Sequence, residues 1–154
     1  MIHIRNSLEL KLRLARLDDI NTYFEWVNEK FVRENSINSQ KISFVEHKKW
    51  FDIQINSKDT YLYVLEKYRK PIGQIRFNII QNYAYIDYSV DVNNRGQGIG
   101  SELITLGVNA FKKSNNILIR AIVKNSNKSS LKIFTKLNFK ILEKSSETIT
   151  YEIK

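Results

Sequence analysis

The stretch SVDVNNRGQGIGSELI, residues 89–104, carries three glycines within five positions, between a strand-like run and a helix-like one. Gly96, Gly98 and Gly100 are three of only five glycines in the 154-residue chain. Several glycine loops bind phosphate, and their spacing separates them. A P-loop ends in G-K-[ST], which is absent here. A dinucleotide fingerprint, G-x-G-x-x-G, would place glycine at position 101, where Ser101 stands. It would also place an acidic residue after the next strand to hold a ribose, and none follows. What is present is Arg95-Gly96-Gln97-Gly98-Ile99-Gly100, an R-x-x-G-x-G run directly opening a helix. With side chains removed at 96, 98 and 100, successive backbone N–H groups can approach a pyrophosphate. The helix N-terminus adds partial positive charge and Arg95 a full one. A tight strand-to-helix turn that binds nothing would need one glycine, not three behind an arginine.

The bulk of the sequence is consistent with a packed globule. Hydrophobic residues make up 42% and aromatic residues 12% of the chain, against the composition of a disordered one. One domain over residues 1–154 is expected, since no Pro-, Gly- or Ser-rich linker or repeat divides the chain. The absence of cysteine excludes thiolate nucleophiles, disulfides and cysteine metal sites, and no metal site is expected. Neither a signal-like apolar run at the N-terminus nor a long uncharged span later is present, so a cytoplasmic protein without membrane contact is expected. The net charge of +9 is spread along the chain, without an Arg-rich arm or basic block. That distribution also suits small anionic ligands such as phosphorylated cofactors, and charge alone does not choose between these and nucleic acid.

Periodicity orders the elements. Leu8, Leu10, Leu12 and Leu14 alternate as in a half-buried strand. Asp18 or Asp19 can cap a helix whose Ile20, Tyr23, Phe24 and Val27 form an apolar stripe. Ser43 and Glu46 form an S-x-x-E capping box for a second helix. TYLYVLEK and PIGQIRFNII flank a turn at Tyr68–Pro71, and YAYIDYSV follows Gln81-Asn82 as a third strand of the group. After the glycines come a helix with Leu103, Ile104, Gly107, Val108 and Phe111 on one side, a strand ILIRAIV, a short helix and a closing hairpin. This β-α-α-β-β-β-α-β-α-β-β order predicts an α+β fold: a mixed, mostly antiparallel sheet of about seven strands flanked by about four helices.

The R-x-x-G-x-G loop after the fourth strand resembles the signature of the GNAT superfamily of acetyl-CoA-dependent N-acetyltransferases. NKSSLKIFTKLNF, residues 127–139, resembles the family's N-x-x-(S/A)-x-x-x-Y-x-K-L-G-F segment. The order of elements agrees, so the resemblance covers essentially the whole chain. It implies that the loop residues Arg95 to Ser101 hold the CoA pyrophosphate. It also implies that the pantetheine arm pairs with the backbone of Val90, Asp91 and Val92, and that Asn127 and Ser130 touch the cofactor. For Asn127, capping its helix is the structural reading beside this one. Two positions depart from the pattern. Asn138 replaces a glycine, a mild change because asparagine tolerates the left-handed conformation. Phe134 replaces the tyrosine that protonates the leaving thiolate in many members. Either another group is the acid, or CoA leaves as a thiolate stabilised by its surroundings; a thiol of pKa ~8.5 leaves far more readily than an alkoxide.

For the acceptor, FEWVNEKFVRENS and ISFVEHKKWFD resemble the members that acetylate nucleotide-linked amino-deoxy sugars, in pathways of the pseudaminic-acid and flagellin-glycan type. The resemblance implies a small nucleotide-sugar acceptor, with Trp26, Asn28, His47, Trp50 and Arg76 at its site. Trp26 lies off the apolar stripe and can stack on a base, or else bury at the sheet edge. His47 and Trp50 share a helix face, and a lone histidine is also an ordinary surface residue. Arg76 interrupts an apolar strand, as a guanidinium aimed at a diphosphate or as half of a surface ion pair. Amine attack on a thioester needs a base. Tyr83, Tyr85, Asp87 and Ser89 share one strand face, and Ala84, Ile86, Tyr88 and Val90 the other. With the polar face lining the cleft, Asp87 and Tyr85 are the candidates and His47 the rival, although a bulge near Val90 would reverse the sidedness. A protein N-terminus is the alternative acceptor, an RNA-binding module the non-catalytic alternative, and a homodimer is left open.

Overall fold

The computed structural model describes residues 9–154; Leu8, assigned above to the first strand, lies outside them. The chain order is β1 (Leu10–Leu14), α1 (Ile20–Val27), α2 (Lys30–Asn35), α3 (Phe44–Asn56), β2 (Thr60–Lys67), β3 (Lys70–Ile80) and β4 (Tyr83–Val90), then α4 (Ile99–Lys112), β5 (Leu118–Lys124), α5 (Lys128–Lys136), β6 (Lys140–Lys144) and β7 (Thr148–Ile153). Seven strands form one sheet in the order β1-β2-β3-β4-β5-β7-β6, parallel only between β4 and β5. The expected mixed, mostly antiparallel α+β sheet is the one observed. There are five helices rather than about four, the addition being the short α2.

Local chemistry explains the connections. The β2–β3 hairpin turns through Tyr68 and Arg69, both at positive φ, as a two-residue turn matched to strand twist requires. Gln81, also at positive φ, serves the β3–β4 turn. Ser43 and Glu46 close the reciprocal capping box of α3. Asp19 does not cap α1 through its side chain. Instead, its buried carboxylate takes two bonds from Arg13, at 2.8 and 2.9 Å, tying β1 to the start of α1.

The two sheet faces differ in chemistry. One face presents Tyr63, Ile75, Phe77, Ala84, Ile86, Ile119 and Tyr151, packed under α4 and α5 in the main core. Phe77 and Phe111 stack at 4.6 Å. Gly107 lets α4 lie directly on β3, since a Cβ there would sit 2.7 Å from the Ile75 side chain. The other face carries a smaller cluster of Tyr23, Trp26, Phe51, Leu62 and Val64 beneath α1 and α3. Beside that cluster the sheet turns polar: cross-strand rungs set Gln74 opposite Ser89, Arg76 opposite Asp87, and Asn78 opposite Tyr85. The β3–β4 register runs unbroken from Gly73/Val90 to Ile80/Tyr83. No bulge reverses the sidedness of β4; the register shifts lie elsewhere, in β2–β3 at Leu65/Glu66 and in β6–β7 at Ile141/Glu143.

Candidate active site

The strand pairing opens a wedge in the sheet. β4 and β5 pair from Tyr83/Leu118 to Tyr85/Arg120, and no pairs follow among the described residues. From Ile86 to Val90, β4 is paired only with β3, so the backbone edge facing β5 is available to an extended chain. The glycine loop stands at the end of this edge. Gly96 and Gly98 have φ of 74° and 76°, a conformation that costs a residue with a Cβ roughly 1–2 kcal/mol. Gly98 is the N-cap of α4, and the first helical bond runs from the Glu102 N–H to the Gly98 carbonyl. The N–H groups of Ile99, Gly100 and Ser101 precede that bond and have no acceptor within the helix. Gly100 serves close packing instead: a Cβ there would lie 2.9 Å from Ile133 Cδ1. Two glycines shape the turn and the third seats α4 against α5, which together form a cradle suited to a pyrophosphate.

Arg95 does not extend freely over this cradle. Its Nε donates to the Val90 carbonyl at 3.0 Å, and its terminal nitrogen pairs with Glu29 at 2.7 Å. Its guanidinium also lies 4.9 Å from the Phe31 ring centroid. Burial opposes ionisation of Glu29, but the Arg95 bond, the Phe31 N–H, the Arg95 charge and the Val32 N–H outweigh it and hold this carboxyl below its ordinary range. Arg95 thus fastens α2, capped by Glu29, to the cofactor loop.

On α5, Asn127 accepts from the Ser130 N–H at 3.3 Å and is the helix N-cap. Ser130 is buried, and its hydroxyl meets that of Tyr88 at 2.7 Å. Phe134 is 2% exposed and packs against Tyr88, Phe139 and Tyr151. Val90, Asp91 and Val92 line a cavity of about 190 Å³ together with Glu25, Trp26 and Glu29.

The acceptor candidates separate into two groups. Trp50, Arg76, Tyr85 and Asp87 come together on the polar face. Arg76 stacks over Trp50 at 5.0 Å, bonds Asn78 at 2.8 Å and lies 3.5 Å from the Asp87 carboxylate. The Asp87 side chain is 55% exposed and also accepts from Gln74 at 3.3 Å. Tyr85 stands next along this face, opposite Asn78 on β3 and Arg120 on β5.

Trp26, Asn28 and His47 do not join them. Trp26 is 8% exposed within the second cluster, and its indole N–H donates to Asp91 at 3.2 Å. What remains exposed of it lines the cavity against β4. Asn28 uses both ends of its amide on the backbone of Ile42, at 2.7 and 2.8 Å, and so holds the segment before α3. His47 is 2% exposed among Phe24, Trp50 and Phe51, with Nε2 donating to the Ile20 carbonyl at 3.0 Å. Burial lowers its pKa, and that bond only partly offsets the effect. Its ring is a neutral packing element, shut away from the polar face.

Sequence reasoning passed over Glu29, Gln74, Asn78 and the role of Tyr88. The contact of Tyr88 with Ser130 joins residues 42 positions apart and leaves no local signal in the sequence. Among the described residues no group of three or more His, Cys, Asp or Glu side chains is placed to hold a metal ion. No helix among them is long and apolar enough to cross a membrane.

Comparison with known proteins agrees with this geometry. Residues 9–140 match the family model described as an acetyltransferase (GNAT) domain. No curated protein matches the sequence. The structure is similar to that of spermidine N-acetyltransferase from Vibrio cholerae in complex with CoA and spermine, with a TM-score of 0.85 at 16% identity, covering 95% of each chain. It is also similar to the Salmonella typhimurium acetyltransferase that modifies the N-terminal serine of ribosomal protein L7/L12, with a TM-score of 0.80 at 20% identity, covering 96% of this chain and 95% of that one. An N-acetyltransferase from Staphylococcus aureus Mu50 gives 0.77 at 22% identity, covering 94% and 98%. At these identities the likeness is one of fold.

Proposed function

Because the chain belongs to the acetyltransferase (GNAT) domain family, and is therefore an acetyl-CoA-dependent N-acetyltransferase, we propose that it acetylates the primary amine of a nucleotide-linked amino-deoxy sugar. The acetyl group is supplied as an activated thioester and passes directly to the amine, with both substrates bound. The cradle of Gly96 to Ser101 holds the pyrophosphate, and the open edge of β4 carries the arm toward the polar face. The observation that carries the acceptor assignment is the array of Gln74, Arg76, Asn78, Trp50 and Asp87 on that face. Amide groups and a carboxylate suit sugar hydroxyls, while Arg76, braced on Trp50, presents a guanidinium to a phosphate. The Asp87 carboxylate receives the proton that the attacking amine loses, directly or through water. The enzyme acts on a small soluble substrate in the cytoplasm.

Arg76→Gln tests this assignment. It raises the KM for the nucleotide-linked acceptor and leaves the KM for acetyl-CoA unchanged. An unchanged acceptor KM would remove Arg76 from the acceptor site.

One observation favours a second reading. The cavity against β4 is bordered by three carboxylates, Glu25, Glu29 and Asp91, of which Glu29 is neutralised by Arg95. Such a pocket suits a cationic amine, including a protein N-terminus. A peptide or polyamine acceptor with turnover above that of every nucleotide sugar would establish that reading.

A further inference from the structure

The Tyr88 side chain leaves β4 on the core side and reaches α5, the helix that follows β5. It therefore passes beneath the gap where β4 and β5 have separated. Its hydroxyl meets Ser130 in the first turn of α5 at 2.7 Å. Its ring stands edge-on to Phe134, with centroids 5.9 Å apart. Tyr88 lies between the last β4–β5 pair, at Tyr85, and the glycine cradle. β4 ends at Val90, and a 3-10 turn at Val92–Asn94 joins it to the loop, so at roughly 3.3 Å per strand residue the open edge from Val90 to Tyr88 runs about 7 Å beyond that turn. An arm anchored by its pyrophosphate at the cradle and running along the open edge brings its sulfur to the level of Tyr88. Phe134, one helical turn beyond Ser130, has no proton to offer there.

We infer that the Tyr88 hydroxyl, oriented by Ser130, donates a hydrogen bond to the sulfur of the departing CoA. The inference rests on acetyl transfer from CoA and not on the identity of the acceptor. As the acceptor nitrogen bonds to the acetyl carbon, the C–S bond breaks and its electron pair stays on sulfur. The surplus proton on nitrogen leaves by way of Asp87 to solvent. Tyr88 keeps its own proton and stabilises the thiolate, which takes a proton from solvent on release. Burial raises the pKa of this phenol, outweighing the opposing bond to Ser130, so the donor stays protonated while the sulfur is anionic. Either hydroxyl can be the donor in this pair, so Ser130 donates to the Tyr88 oxygen while Tyr88 gives its single proton to the bond with the sulfur.

Calorimetry with CoA and desulfo-CoA, at a pH where free thiol is half ionised, tests this without any acceptor. The native protein binds CoA about 10- to 150-fold more tightly than desulfo-CoA, the factor carried by a hydrogen bond to a charged group. Tyr88→Phe removes that preference while leaving desulfo-CoA affinity unchanged, which also shows the site to be folded. Ser130→Ala, which removes the orienting bond, lowers the preference without abolishing it. An undiminished preference in folded Tyr88→Phe would overturn the assignment. A second measurement needs no variant: the thiol of CoA bound to the native protein, followed by thiolate absorbance, titrates below the free thiol. An unshifted or raised titration contradicts the inference. Failure of every nucleotide sugar as acceptor would leave these results untouched, so the two readings fail separately.

Discussion

Gly98→Val places a β-branched side chain at a residue with φ of 76°, at the N-cap of α4. That conformation costs a residue bearing a Cβ roughly 1–2 kcal/mol, and a β-branched one more. At this chain length 1 kcal/mol corresponds to about 2–4 °C in Tm, so a decrease of about 2–8 °C is expected if the loop keeps its shape. A loop that relaxes avoids part of this cost but redirects the N–H groups around Gly98. Each hydrogen bond to a charged phosphate is worth roughly 1.5–3 kcal/mol, so losing one raises the Kd for CoA about 10- to 150-fold. Calorimetry with CoA gives the Kd, and thermal unfolding reports the fold. Gly96→Ala is the companion variant: φ there is 74° but a Cβ would meet no atom within 4 Å, so it reports the backbone cost without collision. A folded Gly98→Val protein that binds CoA with native affinity would refute the cradle.

Two further outcomes follow from the polar face and the buried histidine. Asp87→Asn lowers kcat/KM by about 10²–10⁴, the usual contribution of a positioned base, with CoA affinity unchanged by calorimetry; a loss below threefold would exclude this carboxylate. For His47, burial depresses the folded pKa below its unfolded value near ~6.5. The unfolded chain therefore takes up the proton first, and the stability held above pH ~6.5 declines as pH falls through and below it. His47→Gln flattens that part of the Tm-against-pH curve while retaining kcat, whereas a variant inactive yet fully folded would make His47 catalytic.

Much of this architecture was legible because its signals are local. The capping box at Ser43, the alternation of β4 and the glycine run each lie within a few consecutive residues. What escaped the sequence depends on partners distant along the chain. α2 is six residues long and capped by Glu29, a residue type outside the usual N-cap set, whose carboxylate is secured by Arg95, 66 positions away. The same pairing redirects Arg95 from the phosphate loop to α2. Trp26 lies off the Ile20/Tyr23/Phe24/Val27 stripe, yet α1 is rotated so that Tyr23 and Trp26 face inward, with the indole N–H satisfied by Asp91. Three aromatic rings from α1 and α3 enclose His47, a contact that helix spacing alone conveys only in part. Alternation along β4 separates its polar side from its core side, because the β3–β4 register has no bulge to invert it.

The most direct measurement is thiol release from acetyl-CoA with a panel of UDP- and dTDP-linked amino sugars, polyamines and peptides bearing free N-termini. The account predicts acetyl-CoA-dependent turnover with at least one nucleotide-linked amino sugar, at a kcat/KM above that of every polyamine and peptide. Efficient acetylation of a polyamine or peptide, with no nucleotide sugar accepted, would contradict it.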